Sequence, residues 1–257
     1  MDNEKFIWLL RNGDNVLILS QRLSEWCGKG PALEEDMALT NTALDLLGQA
    51  TLWLSYAGEH EGAGRNEDQL AFLRDAPQFH NVLLVEQPNH DYADTLMRQF
   101  YFDVWHYEWL QALQASSDER VVSIAEKSVS EVRYHLRRST DLLVRLGDGS
   151  PESHRRMQSA ADQWWSYTGE LFSSDAIDQA MAARGIAPLP DTLHAKWRSH
   201  LAQSFEAATL ILPPSDAWMH SGAFKKLKEF SRLHMAYSNL RGNHQARFNK
   251  KILENKK

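Results

Sequence analysis

The feature that most constrains this chain is the stretch ALEEDMALTNTALDLLGQATLWLSYAGEH, Ala32 to His60, whose apolar residues recur at helical spacing along its whole length. Two runs of four-then-three spacing lie side by side. One is Leu33, Met37, Thr40, Leu44, Leu47, Thr51 and Leu54; the other is Leu39, Ala43, Leu46, Ala50, Trp53 and Ala57. Together they span roughly 200° of the circumference. The remaining strip, Ala38, Asn41, Thr42, Asp45, Gly48, Gln49, Leu52 and Tyr56, carries one formal charge. A solvated strip of that length would carry Lys and Glu, so the helix is expected to be covered nearly all round, at the centre of a multi-helix protein.

The rest of the chain supplies partners for it. Hydrophobic residues make up 43%, with Trp 9, Tyr 7 and Phe 10, and glycine and proline are sparse, which favours a helical globular protein over disorder or an all-β sandwich. Asn3 to Cys27 reads as a first helix, stopped by Gly28-Lys29-Gly30-Pro31; Gly13 inside it costs roughly 1 kcal/mol. A short element, Asn66 to Asp75, precedes a connection over Ala76 to Asn89 whose Val82-Leu83-Leu84-Val85 must cross the bundle. Asp91 to Ala115 and Asp118 to Leu146 complete four long helices, the makings of an antiparallel bundle with core residues 3–147. Pro151 to Phe172, a short helix capped by Ser174 and ending at Gly185, and Asp191 to Leu210 are accessory helices. The expected division is a helical domain over 1–212 and a basic extension over 213–257.

Charge is polarised along the sequence. The formal charge is −6, yet Lys225 to Lys257 holds ten Lys or Arg against Glu229 and Glu254. That tail has no nucleic-acid reading motif and the body is acidic, so a solvated or partner-facing helix, or a partly disordered extension, is the expectation, with no nucleic acid bound. The single cysteine, Cys27, excludes an internal disulfide and a Cys-rich metal site, and fits a reducing compartment. Phe6 to Leu10 and Val16 to Leu19 are split by a polar stretch, leaving neither a signal core nor a membrane span; the reading is a soluble, cytoplasmic protein.

Chemistry is sought on the bundle helices. QFYFDVWHYEW, residues 99–109, points aromatic rings in every helical direction, which reads as packing on two sides, inside the bundle and against an extra helix or partner, or else as a cofactor or aromatic-substrate box. Asp103 and His106 within it are three apart, a spacing that lets a carboxylate and an imidazole share a metal, and otherwise a polar pair among aromatics. Glu131 and His135 are four apart and can touch; Arg133, Arg137 and Arg138 nearby read as surface or partner contacts. A dinuclear iron bundle requires a Glu from each of two helices and a Glu-x-x-His from each of two others. Here Asp45 is followed by Gly48, Glu131 by Tyr134, with His135 turned away from the required face, and the first helix has no carboxylate between Asn15 and Gln21. The layout resembles that of a di-iron bundle while its ligand set is absent; Asp45, Gly48, Glu131, Tyr134 and His135 are candidates for a vestige of it.

These residues also carry a family pattern. From LRNGDNVLILSQRLSEWCGKGPALEEDMALTNTALDLLGQA through LAFLRDAPQFHNVLLVEQPN, FYFDVWH and EVRYHLRRSTDLLVRLG, the chain resembles the structural ferritin-like subunit of bacterial phenylacetyl-CoA epoxidase. The resemblance implies a chain with no catalytic residues and no cofactor or metal of its own, which packs on a homologous di-iron subunit as a heterodimer or higher hetero-oligomer. In that family the catalytic partner forms the ring 1,2-epoxide with O2 and electrons relayed from NADPH by a separate reductase, and further small subunits belong to the complex. Aromatic and Arg-bearing faces left after the bundle closes are expected to form the heterodimer surface. After His220-Ser221-Gly222-Ala223-Phe224 the sequence departs from the family's usual ending, a Gly-Gly-Lys segment, a His-Thr-Glu-His-Leu-Gly stretch and a terminal Trp. Two other readings stand beside this one: a metalloenzyme with an unusual site drawn from Asp45, Asp103, His106, Glu131 and His135, and a general helical adaptor.

Overall fold

The computed structural model describes residues 2–214, and every regular element among them is helical. In order these are α1 (Asn3–Ser24), α2 (Leu33–Glu61), α3 (Glu67–Phe72), α4 (Leu83–Glu86), α5 (Tyr92–Leu113), α6 (Glu119–Gly147), α7 (Pro151–Trp165), α8 (Ala176–Ala183) and α9 (His194–Ala207). The long helices α1, α2, α5 and α6, of 22, 29, 22 and 29 residues, make an all-α, ferritin-like bundle. Cross-helix bonds fix its directions. Ser20 reaches the Ala43 carbonyl while Lys5 reaches Tyr56, so α1 and α2 are antiparallel; Gln49 meets Glu131 while Tyr56 meets Asp118, so α2 and α6 are as well. Among the described residues no helix is long and apolar enough to cross a membrane.

Helix starts follow local chemistry. Asp2, Asp91, Asp118 and Ser150 each accept a first-turn backbone N–H, satisfying donors that the helix leaves unpaired. α8 begins one residue later than expected, because Asp175 rather than Ser174 accepts from the Ile177 and Asp178 backbone N–H groups, where a carboxylate also favours the helix dipole. The helix expected over Pro151 to Phe172 stops at Trp165. There the Thr168 hydroxyl donates to the Trp165 carbonyl at 2.8 Å, competing with helical bonding, and Gly169–Phe172 continue as a 3-10 turn. The segment expected as one helix over Asp191 to Leu210 likewise opens with a 3-10 turn, Pro190–Leu193. The basic tail lies outside the described residues.

The crossover between α2 and α5 runs through the interior, so its backbone polar groups need partners. Asn15 Oδ1 accepts from Val82 N at 2.8 Å, Glu170 Oε2 accepts from Leu83 N at 2.7 Å, and Arg22 Nε donates to the Glu86 carbonyl at 2.9 Å. Fully buried Arg98 donates to the Gln87 carbonyl and to Asn89; burial, with Arg22 beside it, pulls its guanidinium down to about 9. Asp14, on the buried face of α1, pairs with Arg74 and accepts from the His80 backbone at 2.8 Å.

The aromatic helix α5 is packed on two sides by this chain alone. Tyr101 lies 5.9 Å from Trp165, 6.0 Å from Trp197 and 6.3 Å from Phe205, so α7 and α9 close its outer face. The α5 aromatics therefore do not form an open docking surface, because the accessory helices fold back over them, while Tyr134 on α6 and Phe72 on α3 remain exposed.

For α2 the expectation of burial all round fails. Its second apolar run and the polar Thr42 and Gln49 are buried against α1 and α6, as is Leu54 at the end of the first run, but four large side chains of that first run face out: Leu33 is 72% exposed, Met37 58%, Leu44 59% and Leu47 41%. α1 and α6 cover only part of the cylinder, and α3 packs on the C-terminal end of α2, where Ser55 donates to Glu67 at 2.9 Å, so the outward row is left open. Where α2 meets α1 the contact is tight. A Cβ on Gly13 would lie 2.8 Å from Leu54 Cδ2 and 3.3 Å from Trp53 Cβ, so this glycine permits close helix approach rather than merely weakening α1.

Candidate functional site

The polar residues singled out by sequence converge on the seam where α2, α5 and α6 meet, but in pairings that differ from those expected. His135 points inward from α6, and its Nε2 lies 2.9 Å from Asp45 Oδ2 on α2. One turn away, Gln49 Nε2 donates to Glu131 Oε2 at 2.9 Å. Glu131 and His135 thus each reach across to α2 instead of pairing with one another. On α5, Asp103 does not bond His106; it accepts from Gln99 Nε2 at 2.6 Å and from Ser139 Oγ at 2.8 Å.

Burial dominates the electrostatics. Asp103 is pushed up to about 6 by desolvation, against the opposing influence of His135 and its two hydrogen-bond donors. His106 is pushed down to about 3 by desolvation and then by His135, so it is a neutral imidazole at physiological pH. Four buried atoms of this seam have no protein partner: Gln49 Oε1, Gln99 Oε1, His106 Nδ1 and His135 Nδ1.

A dinuclear iron centre does not fit these residues. Its four carboxylates and two imidazoles would have to converge, yet both Asp103 oxygens and the facing oxygens of Asp45 and Glu131 are engaged by protein groups. Along Asn15 to Gln21, α1 offers Ser20, bonded to the Ala43 carbonyl, in place of an acid. Gly48, where an imidazole is required, faces outward, and a Cβ there would meet nothing within 4 Å; Tyr134 is 55% exposed. Among the described residues no group of three or more His, Cys, Asp or Glu is placed to hold a metal.

The outward side of α2 is the other notable surface. Its apolar row, Leu33, Met37, Leu44 and Leu47, passes over Gly48, and near one end Glu35 accepts from Tyr92 Oη at 2.5 Å and is paired with Arg138. Desolvation and then Glu35 hold the Tyr92 phenol well above its ordinary value, so it stays protonated as the donor of this cluster. Arg138, one of three arginines read as surface or partner contacts, is thus tied into the molecule, whereas Arg133 and Arg137 are exposed. Gln49, Gln99 and Ser139 are members of this polar seam that the sequence alone did not single out. The signal for Gln49 was present, a neutral polar residue in a strip without charges.

A family model described as phenylacetic acid catabolic protein matches residues 1–247. The chain belongs to that family. It is also 48% identical over 220 residues to the subunit lettered C in the 1,2-phenylacetyl-CoA epoxidase of Escherichia coli (strain K12), a match covering 86% of this chain and 88% of the relative. The segments quoted for the resemblance lie within the residues matched by the family model, and the polar seam apart from Gln99 is built from them.

Proposed function

We propose that the chain is a non-catalytic structural subunit of a phenylacetyl-CoA ring-1,2-epoxidase, pairing with the di-iron subunit that performs the chemistry. The observation that carries this reading is the open row of Leu33, Met37, Leu44 and Leu47 on the central helix of a bundle whose interior is closed by its own polar pairs. Large apolar side chains aligned along one exposed helix are uncommon on a monomer and match the apolar centre of an obligate interface. A relative whose name is a subunit of an epoxidase supports a multi-subunit setting. Iron bound by the partner, with NADPH and O2 consumed by the complex, belongs to the same proposal, as do a cytoplasmic location and a basic extension distinct from the helical domain.

In this role the chain supplies a rigid surface. Asp45–His135 and Gln49–Glu131 lock α2 to α6, the Glu35–Arg138–Tyr92 cluster fixes the rim, and close packing at Gly13 fixes α2 to α1. The test is co-expression with the di-iron subunit encoded in the same organism, followed by co-purification and metal analysis. Stoichiometric co-purification, with iron following the partner, is expected. Near two irons per chain after anaerobic loading of this subunit alone would overturn the reading.

A further inference from the structure

A second feature lies away from the α2 face and the polar seam. Between α1 and α5 a cleft of about 420 Å3 opens, roofed by the 3-10 turn at Gly169–Phe172, by α8 and by Pro190. That volume lies in the range of small-molecule sites, which in helical bundles sit between helices. Three indoles form one wall: Trp105 stacks on Trp109 at 5.7 Å and 12°, and Trp8 lies 6.3 Å from Trp109. The Trp109 N–H donates to Asn12 Oδ1 at 2.7 Å, whereas the buried Trp105 N–H has no acceptor in the protein. Glu170, Asp175 and Asp178, from other elements than the indoles, also line the cleft, with Arg11 alone among Lys and Arg in the lining. Arg11 bonds both aspartates, so the lining retains an excess of carboxylate. Glu170 and His80, also in the lining, have contacts of their own.

Aromatic faces attract cations, and more so where water is partly excluded; carboxylates in the same lining reinforce the preference and oppose an anion. We propose that this cleft binds a small organic cation, an amine or quaternary ammonium with a compact or aromatic body. The cation would lie on the Trp8–Trp105–Trp109 wall with Glu170 and the Arg11-bonded aspartates around it. The site is independent of the subunit reading, because it shares no residue with the α2 face.

The test titrates the full chain with benzyltrimethylammonium, whose charge is fixed at every pH, against neutral 2-phenylethanol and anionic phenylacetate, reading indole fluorescence and heat of binding. Saturable binding of the cation, about tenfold tighter than of either control, is expected. Glu170→Gln should weaken it severalfold, and Ser174→Trp, which adds bulk at an exposed lining position, should abolish it with the thermal melt unchanged. If Glu170→Gln fails to fold, Ser174→Trp alone decides. Equal binding of the neutral or anionic probe, no saturable binding of the cation up to about 10 mM, or cation binding unaltered in Ser174→Trp would overturn the proposal.

Discussion

Replacing Asp103 by Asn should stabilise the protein, and only above a defined pH. Asp103 is wholly buried between α5 and α6, accepts from Gln99 and Ser139, and titrates at about 6 rather than at the ordinary 3.8 because desolvation disfavours its charged form. A raised folded-state value means that the folded protein holds this proton more tightly than the unfolded chain. Folding is therefore favoured, relative to the ionised state, at pH below 3.8, and that advantage is lost as pH rises through about 6. The shift corresponds to roughly 3 kcal/mol above pH 6. Asn keeps the size and the acceptor for Gln99. Its amide can donate to Ser139 Oγ, whose hydroxyl already reaches the Leu136 carbonyl at 3.2 Å. Allowing for that rearrangement, Asp103→Asn should gain about 1–3 kcal/mol at pH 7.5 and close to nothing near pH 4. Urea unfolding of wild type and variant across this range, compared as differences in midpoint at common slope, measures it. A stability difference that does not change with pH, or a variant less stable at pH 7.5, would refute the reasoning.

Other perturbations follow from packing and pairing. Gly13→Ala should destabilise the fold by about 1–3 kcal/mol despite alanine's better helix propensity, since the new methyl meets Leu54 at 2.8 Å; a thermal melt shows it. Gly48→Ala has open space around it and should stabilise the isolated chain by about 0.5–1 kcal/mol in the same melt. Arg74→Met leaves Asp14 buried without its cation and should cost roughly 3–5 kcal/mol, measured by chemical denaturation, with the loss reduced in the Asp14→Asn/Arg74→Met double variant.

Much of the fold is written in short-range chemistry. The four bundle helices appear within a few residues of where periodicity and capping residues put them, since Asp91, Asp118 and Gly62 act locally. What periodicity could not supply was direction. A helix apolar over about 200° of arc reads as buried on every side, and which row meets its own chain depends on α1 and α6, not on α2. The same limit applied to the site. Asp45, Glu131 and His135 were recognisable as a polar set, but their partners are set by helix register, which a spacing of three or four within one helix does not encode. Asp103 has His106 three residues away on the same helix, yet in space Ser139, 36 residues away, holds it. The cleft between α1 and α5 was equally hidden, because its walls come from five separate segments.

The central claim is that the outward row of α2 is the seat of a di-iron partner, and the most direct measurement is the partner's retention by Leu44→Asp and Leu47→Asp variants in co-expression. Both side chains are exposed, so either substitution should leave the isolated chain's stability within about 0.5 kcal/mol. Placed at the centre of an apolar interface, an unpaired carboxylate should weaken association by at least 2 kcal/mol, or about thirtyfold in dissociation constant. The account predicts loss of the partner from a tagged, well-folded variant, with wild-type levels kept by a control at exposed Glu126→Gln on α6. Full retention of the partner by both aspartate variants would contradict it.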